Sequence, residues 1–294
     1  MSANGETRPT RAERHPLAVR AGPLDVPFVP RRGYADGPYG QVHFRDTGGP
    51  GAPLLLCPQA PQTSRQFDNV YERLQRRGLR AIGVDMPGFG ESDPPTFVPT
   101  IEDLAVAVPP VLDALGLESA HVLGHHTGAL IATEVALQFP NRVAGVVLNG
   151  PLPLSDARRA AYLEWVKGAE IELVWQADGS HFTTAFATRR DLYGEDADPA
   201  TITRYIVEQF SGYAPFWIGH HAAFLYDHER ALRDLEHRTL ILTNTGDQIY
   251  DYALRARDLR PGFAFEALDG GGIDIVDQLP DAWSDTVAAF LHDA

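Results

Sequence analysis

The stretch Gly124-His125-His126-Thr127-Gly128 decides the fold of this chain. An apolar run at 120–123 comes directly before it, and a helical pattern at 129–139 comes directly after it. The sequence therefore predicts a strand, a tight turn between small residues and a helix in immediate succession.

A strand, a sharp turn and a helix around the spacing G-x-S-x-G form a nucleophile elbow, in which a strained backbone exposes the central side chain. In this chain the central position is His126, where Ser, Cys or Asp is usual. The context predicts the fold, but it does not predict the reaction, because the attacking hydroxyl group is missing.

The composition is that of a globular protein of enzyme size, with 294 residues of which 44% are hydrophobic. A formal net charge of -14 argues against nucleic acid and against an anionic membrane surface as partners. We expect a small-molecule substrate, no nucleic acid and no membrane. A homodimer is left open.

Cys57 is the only cysteine, so we expect neither an intrachain disulfide nor a cysteine metal site. The sequence has no H-E-x-x-H motif, and Gly270-Gly271-Gly272 does not have the spacing of a dinucleotide loop, so no metal and no cofactor are expected. There is no long apolar run, and residues 1–35 lack an apolar signal core. A cytoplasmic protein is the resulting expectation.

Buried strands alternate with helical patterns along the chain, which indicates an α/β fold with a mostly parallel sheet and helices on both faces. The predicted strands are 41–45, 54–57, 81–84, 120–123, 143–148, 239–242 and 263–268. Helical patterns outside the middle segment cover 64–77, 101–115, 129–139 and 283–291.

Between these halves the pattern changes to helices alone, at 157–167, 181–193, 201–210 and 217–233. This segment is rich in aromatic residues, which together suggest the roof of an apolar pocket. We predict four segments: an N-terminal arm at 1–35, the first part of the α/β core at 36–150, a helical cap at 151–236, and the second part of the core at 237–294.

Three motifs resemble those of the α/β-hydrolase fold family over roughly residues 38–294. The stretch 87–93 is similar to that family's P-G-(F/Y)-G-x-S-D turn, and 124–128 is similar to its elbow. The strand at 239–242 and the loop after it place Asp247 where the family has its catalytic acid. The resemblance implies a mostly parallel central sheet, helices on both faces and a helical cap inserted after the sixth strand.

Two positions depart from the family's triad of nucleophile, acid and base. His126 occupies the nucleophile position, and Ile273 occupies the position of the usual catalytic histidine. The oxyanion loop, usually H-G-x-P, reads Pro58-Gln59-Ala60-Pro61. The chain resembles a branch of the family with G-H-H-T-G elbows and H-Q-x-P loops, with His in place of the elbow nucleophile and without the usual catalytic His.

These departures suggest a hypothesis about geometry. An imidazole on the elbow reaches the acid from the opposite side, so His126 would bond Asp247 directly and Ile273 would fill the vacated space. Asp247 would then fix the tautomer of His126 and raise its pKa. Such a pair transfers protons near neutral pH, an effect worth about 10²–10⁴-fold in rate. The alternative is that His126 packs in the elbow as an inert remnant.

The oxyanion function is predicted for the backbone N–H groups of Ala60 and Thr127. The side-chain amide of Gln59 is a further candidate donor, and the alternative is a loop residue that bonds its own backbone. His125 is expected to pack or cap, although it lies beside the site.

Two further residues complete the candidate substrate-binding set. His181 is predicted to begin a cap helix, with a pocket-lining base as the alternative. Tyr250, just after Asp247, is placed within reach of the site.

The sequence predicts a cofactor-free enzyme that acts on an apolar or aromatic, carbonyl-bearing small molecule by proton-transfer chemistry of the lyase, isomerase or cyclase kind, in specialised metabolism. One alternative is hydrolysis of an ester, lactone or C–C bond, with His126 as nucleophile or as the base that activates water. The other is a non-catalytic ligand-binding protein on a hydrolase scaffold.

Overall fold

The computed structural model describes residues 28–172, 175–194 and 197–293. Its strands are β1 (Arg31–Gly37), β2 (Gly40–Asp46), β3 (Ala52–Cys57), β4 (Leu79–Val84), β5 (Ala120–His125), β6 (Val143–Asn149), β7 (Thr239–Asn244) and β8 (Ala264–Leu268). They form one sheet in the order β1-β2-β4-β3-β5-β6-β7-β8. Strands β3 to β8 run parallel, and β2 is antiparallel to both of its neighbours, β1 and β4, which confirms the predicted mostly parallel sheet.

The helices of the described ranges are α1 (Tyr71–Arg76), α2 (Ile101–Ala105), α3 (Val108–Ala114), α4 (Thr127–Gln138), α5 (Asp156–Val166), α6 (Ser180–Tyr193), α7 (Pro199–Gln209), α8 (Ile218–Leu225), α9 (His228–Asp234), α10 (Tyr250–Leu259), α11 (Ile275–Gln278) and α12 (Pro280–His292). A π-helical turn, Lys167–Ile171, follows α5. Within these ranges no helix has the length and apolar character needed to cross a membrane.

Helices cover both faces of the sheet because its central strands carry apolar side chains in both directions. On β3, Leu54 and Leu56 pack in one core with Trp283 of α12, whereas Leu55 packs in the other core with Leu130 of α4. The continuous apolar run that predicted a doubly buried strand is thereby explained.

The carboxyl ends of β3, β5, β6 and β7 lie side by side, at Cys57, His125, Asn149 and Asn244. The loops that follow these four strands therefore meet at one edge of the sheet, where ligands bind in parallel α/β sheets. Trp283 of α12 donates from Nε1 to Oδ1 of Asn149 at 2.7 Å, and this bond fixes the end of β6.

The helical cap consists of α5 to α9 and lies between β6 and β7. Buried polar contacts tie it to the core. Arg204 and the hydroxyl group of Tyr205 both donate to Asp277 at 2.8 Å, and Thr63 donates from Oγ1 to Glu208 at 2.8 Å. The division of the chain at residues 35, 150 and 236 stays a prediction.

The prediction of an irregular arm at 1–35 is wrong for its last residues. Residues 1–27 lie outside the described residues, but Arg31–Gly37 forms the edge strand β1, paired with β2. This strand escaped sequence analysis because only Ala35 on it is buried, so the alternation that identifies a half-buried strand is missing.

Three predicted helices are each split in two. The 64–77 pattern contains a 3₁₀ turn and α1, and the 101–115 pattern contains α2 and α3, where Pro109 lacks the N–H that would continue α2. The 217–233 pattern contains α8 and α9, because Asp227 caps a new helix by accepting from the N–H of Arg230. An apolar stripe can continue through such breaks, so periodicity does not show them.

Candidate active site

The turn between β5 and α4 has the backbone strain of a nucleophile elbow. His126 has φ 50° and ψ -112°, and it is the one non-glycine residue with positive φ in the described part of the chain. Such a conformation costs on the order of 1–3 kcal/mol, so surrounding structure must hold it. A Cβ on Gly124 would lie 1.8 Å from the carbonyl oxygen of Gly128, and one on Gly128 would lie 2.0 Å from that of Cys57. The elbow therefore requires glycine on both sides.

The imidazole of His126 contacts Asp247 in the loop after β7. Its Nε2 lies 2.6 Å from Oδ2 of Asp247, as the sequence hypothesis expected, and the backbone N–H of Ile249 donates to the other carboxylate oxygen at 3.1 Å. Burial by itself raises the pKa of Asp247, but the charge and hydrogen bond of His126 outweigh it, and the pKa lies below its usual value. Asp247 is therefore ionised near neutral pH.

This contact determines which nitrogen of His126 is basic. The carboxylate of Asp247 accepts only, so Nε2 carries the proton and Nδ1 carries the lone pair. Nδ1 has no hydrogen-bond partner among the described residues. It is also not one of their buried polar atoms without a partner, so it is accessible to solvent. About 12% of the His126 side-chain surface is accessible, whereas Asp247 is sealed. The free nitrogen is thus the one closest to the elbow backbone.

The predicted oxyanion donors lie beside the elbow, at the end of β3 and the start of α4. None of the hydrogen bonds of the described residues uses the backbone N–H of Ala60 or of Thr127. Both residues line a cavity of about 10 Å³, together with Gly219 of α8. This space is at the lower limit for one water molecule. The cap is therefore closed over these two N–H groups.

The alternative for Gln59, a side chain bonded to its own backbone, is wrong. One N–H of its side-chain amide donates to Oδ1 of Asp274 at 3.0 Å. The amide has a second N–H, so the role of Gln59 as a further oxyanion donor stays a prediction. Arg189 of α6 donates to both carboxylate oxygens of the same Asp274. The buried carboxylate of Asp274 needs several donors, so it binds the amide of Gln59 in addition to the guanidinium group of Arg189.

His125 is not available to a substrate, in contrast to its place in the predicted site. It is fully buried, and its Nε2–H donates to the carbonyl oxygen of Ile273 at 2.9 Å. Burial and the neighbouring His126 hold the pKa of His125 well below its usual value, so it stays neutral. Its ring stacks on that of His126 at a centroid distance of 4.5 Å. His125 thus supports the reactive ring, and Ile273 contributes its carbonyl group in addition to a buried side chain.

His181 and Tyr250 are not brought to the imidazole of His126 by any described contact. His181 lies near the start of α6, where its Nδ1 accepts from the N–H of Gln176 and its ring packs on Trp175 and Phe210. The N–H of Tyr250 donates to the carbonyl oxygen of Asp247 at 3.0 Å. Tyr250 therefore supports the acid loop, the loop after β7 that carries Asp247, through its backbone.

Several groups around the site were not predicted from the sequence. Besides Arg189 and Asp274, His220 of α8 bonds Glu170 through Nδ1 at 2.8 Å, and the charge of Glu170 raises the pKa of His220 despite burial. Asp274 could have been found from the sequence, because it directly follows Ile273. The cap residues Arg189, Glu170 and His220 could not, because their positions depend on how the cap docks on the sheet. No group of three or more metal-binding side chains occurs in the described ranges.

Comparisons with known proteins agree with this geometry. A family profile described as the alpha/beta hydrolase fold matches residues 52–253. The chain is 36% identical over 114 residues to the 2-hydroxy-6-oxononadienedioate/2-hydroxy-6-oxononatrienedioate hydrolase of Paraburkholderia phymatum, covering 37% of this chain and 40% of that protein. It is 32% identical over 154 residues to the bifunctional epoxide hydrolase 2 of Mus musculus, covering 50% of this chain and 26% of that protein. The chain thus matches less than half the length of these relatives.

Solved structures show the same architecture at low identity. A thermophilic esterase from Thermogutta terrifontis superposes with a TM-score of 0.73 at 20% identity, covering 90% of this chain and 98% of that chain. The enol-lactonase from Burkholderia xenovorans superposes with a TM-score of 0.71 at 19% identity, covering 88% of this chain and 100% of that chain. With the profile match over 52–253, the sheet order and the strained elbow, these findings show that the chain belongs to the α/β-hydrolase fold family.

Proposed function

We propose that this chain is a hydrolytic enzyme in which His126 and Asp247 activate a water molecule against the carbonyl group of an apolar or aromatic small molecule. It would belong to the branch of the family with His in place of the elbow nucleophile. The observation that carries the proposal is the 2.6 Å contact between Nε2 of His126 and Asp247, which leaves Nδ1 basic and accessible at the elbow.

The first step follows from this tautomer. Nδ1 is two bonds from Cβ, so it lies near the place where an elbow serine would carry its hydroxyl group. A water molecule bonded to Nδ1 would give up a proton to it as its oxygen attacks the substrate carbonyl. Asp247 stays ionised and stabilises the imidazolium that forms, as the acid of a serine triad does.

The second step uses the elbow backbone. The carbonyl oxygen gains negative charge in the tetrahedral intermediate, and the N–H groups of Ala60 and Thr127 would donate to it. Collapse of this intermediate breaks the bond to the leaving group, which takes the proton back from His126. The products are a carboxylic acid and an alcohol, or a ketone if a C–C bond is cleaved.

The comparisons favour hydrolysis over the proton-transfer chemistry that the sequence suggested. The relatives are named as a 2-hydroxy-6-oxononadienedioate/2-hydroxy-6-oxononatrienedioate hydrolase and a bifunctional epoxide hydrolase, and the superposed structures as an esterase and an enol-lactonase. The same basic nitrogen would also remove a proton beside a carbonyl group. Hydrolysis differs from that reaction in one measurable way, because a water oxygen enters the acid product.

Substrate binding requires the cap to move. The cavity of about 10 Å³ at Ala60 and Thr127 is far below the roughly 300–1,000 Å³ of small-molecule sites. The aromatic side chains of the cap, among them Phe210 and Phe216, would then form the apolar roof over the bound molecule.

The test is a panel of aryl esters, lactones and 1,3-diketones, run in water enriched in ¹⁸O. We expect one class to be hydrolysed with ¹⁸O in the acid product, and His126→Gln to lower kcat by about 10²–10⁴-fold. The matched control is His43→Gln, which alters a histidine of another His–Asp pair away from the elbow.

Three outcomes would contradict the proposal. Conversion without ¹⁸O incorporation, accompanied by exchange of substrate protons with solvent, would point to a lyase or isomerase. Full activity of His126→Gln would show that the ring is inert. A compound that raises the melting temperature but is never converted would indicate a binding protein.

A further inference from the structure

Gly150, the first residue after β6, lies directly against the imidazole of His126. A Cβ built on Gly150 would be 2.6 Å from Cδ2 of His126 and 3.0 Å from its Nε2. The same atom would be 3.0 Å from Cδ1 of Ile249 in the acid loop. Any side chain at position 150 would therefore occupy the space through which His126 reaches Asp247.

The backbones on both sides of this contact are held in place. The N–H of Gly150 donates to the carbonyl oxygen of Leu242 on β7 at 2.9 Å, and the N–H of His126 donates to that of Asn149 at 2.7 Å. A side chain at position 150 could not be accommodated by a backbone shift without breaking these bonds. The ring of His126 would have to move, although it already stacks on the ring of His125.

We propose that Gly150 is the positioning residue that admits an imidazole at the elbow, and that its missing side chain is what allows His126 to bond Asp247. A serine at the elbow is shorter and would not extend to this position. Replacement of the elbow nucleophile by histidine therefore depends on a second site, at the end of the neighbouring strand. The activity part of the test rests on the proposed function, whereas the geometric part does not.

The test compares Gly150→Ala with Gly116→Ala, the same change at a matched glycine. Gly150 has φ +70°, so alanine is strained there whatever the space. Gly116 has φ +66° with no atom within 4 Å of a built Cβ, so Gly116→Ala puts a side chain at a similar positive φ without the contact. We expect both variants to lose similar stability from strain, with an additional loss for Gly150→Ala. Gly150→Ala should also lower kcat by about 10²-fold or more, and Gly116→Ala by less than twofold.

A readout that needs no activity is the Nε2–H proton of His126, followed by NMR in protein with ¹⁵N-labelled histidine. It is identified by its loss in His126→Gln, and we expect it to shift or vanish in Gly150→Ala and to persist in Gly116→Ala. An unchanged resonance in Gly150→Ala would overturn the proposal. If the resonance changes but no wild-type hydrolysis is found, the proposed function fails and the role of Gly150 stands.

A second variant covers the case in which Gly150→Ala does not fold. In the background His126→Ser the ring is absent, so Gly150→Ala should fold and should lower the melting temperature by less than it does when the ring is present. The cycle of these variants measures the coupling between positions 126 and 150. If Gly150→Ala lowers the melting temperature equally with and without the ring of His126, the inference is contradicted.

Discussion

His43 and Asp85 form a second imidazole–carboxylate pair, and its geometry is close to that of His126 and Asp247. The two contacts measure 2.8 and 2.6 Å, and both carboxylates are buried. In both pairs the pKa of the carboxyl group lies below its usual value although burial by itself raises it, because the histidine and the other hydrogen bonds outweigh burial. Distance and carboxylate charge therefore do not separate them.

Their surroundings differ in two respects. Asp85 also accepts from the N–H groups of Ser64 at 2.7 Å and Glu91 at 3.1 Å, so it joins three chain segments. His43 lies within β2 in ordinary strand conformation, with only 4% of its side-chain surface accessible. His126, by contrast, is held at positive φ in a strained turn and keeps 12% accessible. We read His43–Asp85 as a structural pair and His126–Asp247 as the reactive one.

The comparison is tested most strongly by the same Asp→Asn change in each pair. We expect Asp247→Asn to lower kcat by about 10²–10⁴-fold, because the neutral amide no longer stabilises the imidazolium of His126. We expect Asp85→Asn to lower the free energy of unfolding by about 3 kcal/mol, because buried donors lose a charged acceptor.

Activity per folded molecule and urea unfolding measure these two effects separately. Turnover corrected for the folded fraction should stay near wild type in Asp85→Asn. If Asp85→Asn abolishes turnover at full folding, or Asp247→Asn leaves it intact, the assignment of the two pairs is wrong.

A histidine without a carboxylate partner should respond differently to pH. His228 of α9 is fully buried, its Nδ1 accepts from the N–H of Leu152, and burial lowers its pKa to about 3. The unfolded chain binds this proton near pH 6.5, so its contribution to stability is complete above pH 6.5 and falls as the pH drops towards 3. From pH 7 to 4 the loss should be about 3 kcal/mol.

Urea unfolding of wild type and of His228→Gln at several pH values measures this contribution. Between pH 6.5 and 4 the unfolding free energy should depend less steeply on pH in His228→Gln, by about 1.4 kcal/mol per pH unit, which corresponds to one proton. Asp85 and Asp247, with lowered pKa values, lose their stabilising charge only below this window. An unchanged slope would show that His228 does not stay neutral in the folded protein.

The smallest effect is expected for an exposed pair of the same length. Arg76 and Glu72 of α1 are 2.7 Å apart, and their side chains are 71% and 44% accessible. Water screens such a pair, so Glu72→Gln should change the free energy of unfolding by about 0.5 kcal/mol or less. A loss as large as that of Asp85→Asn would mean that distance alone decides the strength of these contacts.

Much of the fold was predictable because its signals are local. The apolar runs identified the central strands, and the small residues around His126 identified the elbow that the structure shows at φ 50°. The edge strand Arg31–Gly37 and the breaks between α2 and α3 and between α8 and α9 were not predicted. An exposed edge strand buries too little apolar surface to leave a pattern, and an amphipathic stripe can continue across a break.

The sequence by itself determined the sheet, the elbow and the loss of the usual nucleophile and base, because each depends on residue type at a fixed spacing. Only the tertiary structure decided which groups meet. Gln59 bonds Asp274, His125 is sealed against Ile273, and Gly150 leaves room for the ring of His126. These contacts join residues that are 24 to more than 200 positions apart, so they depend on strand order and cap docking, which no local pattern encodes.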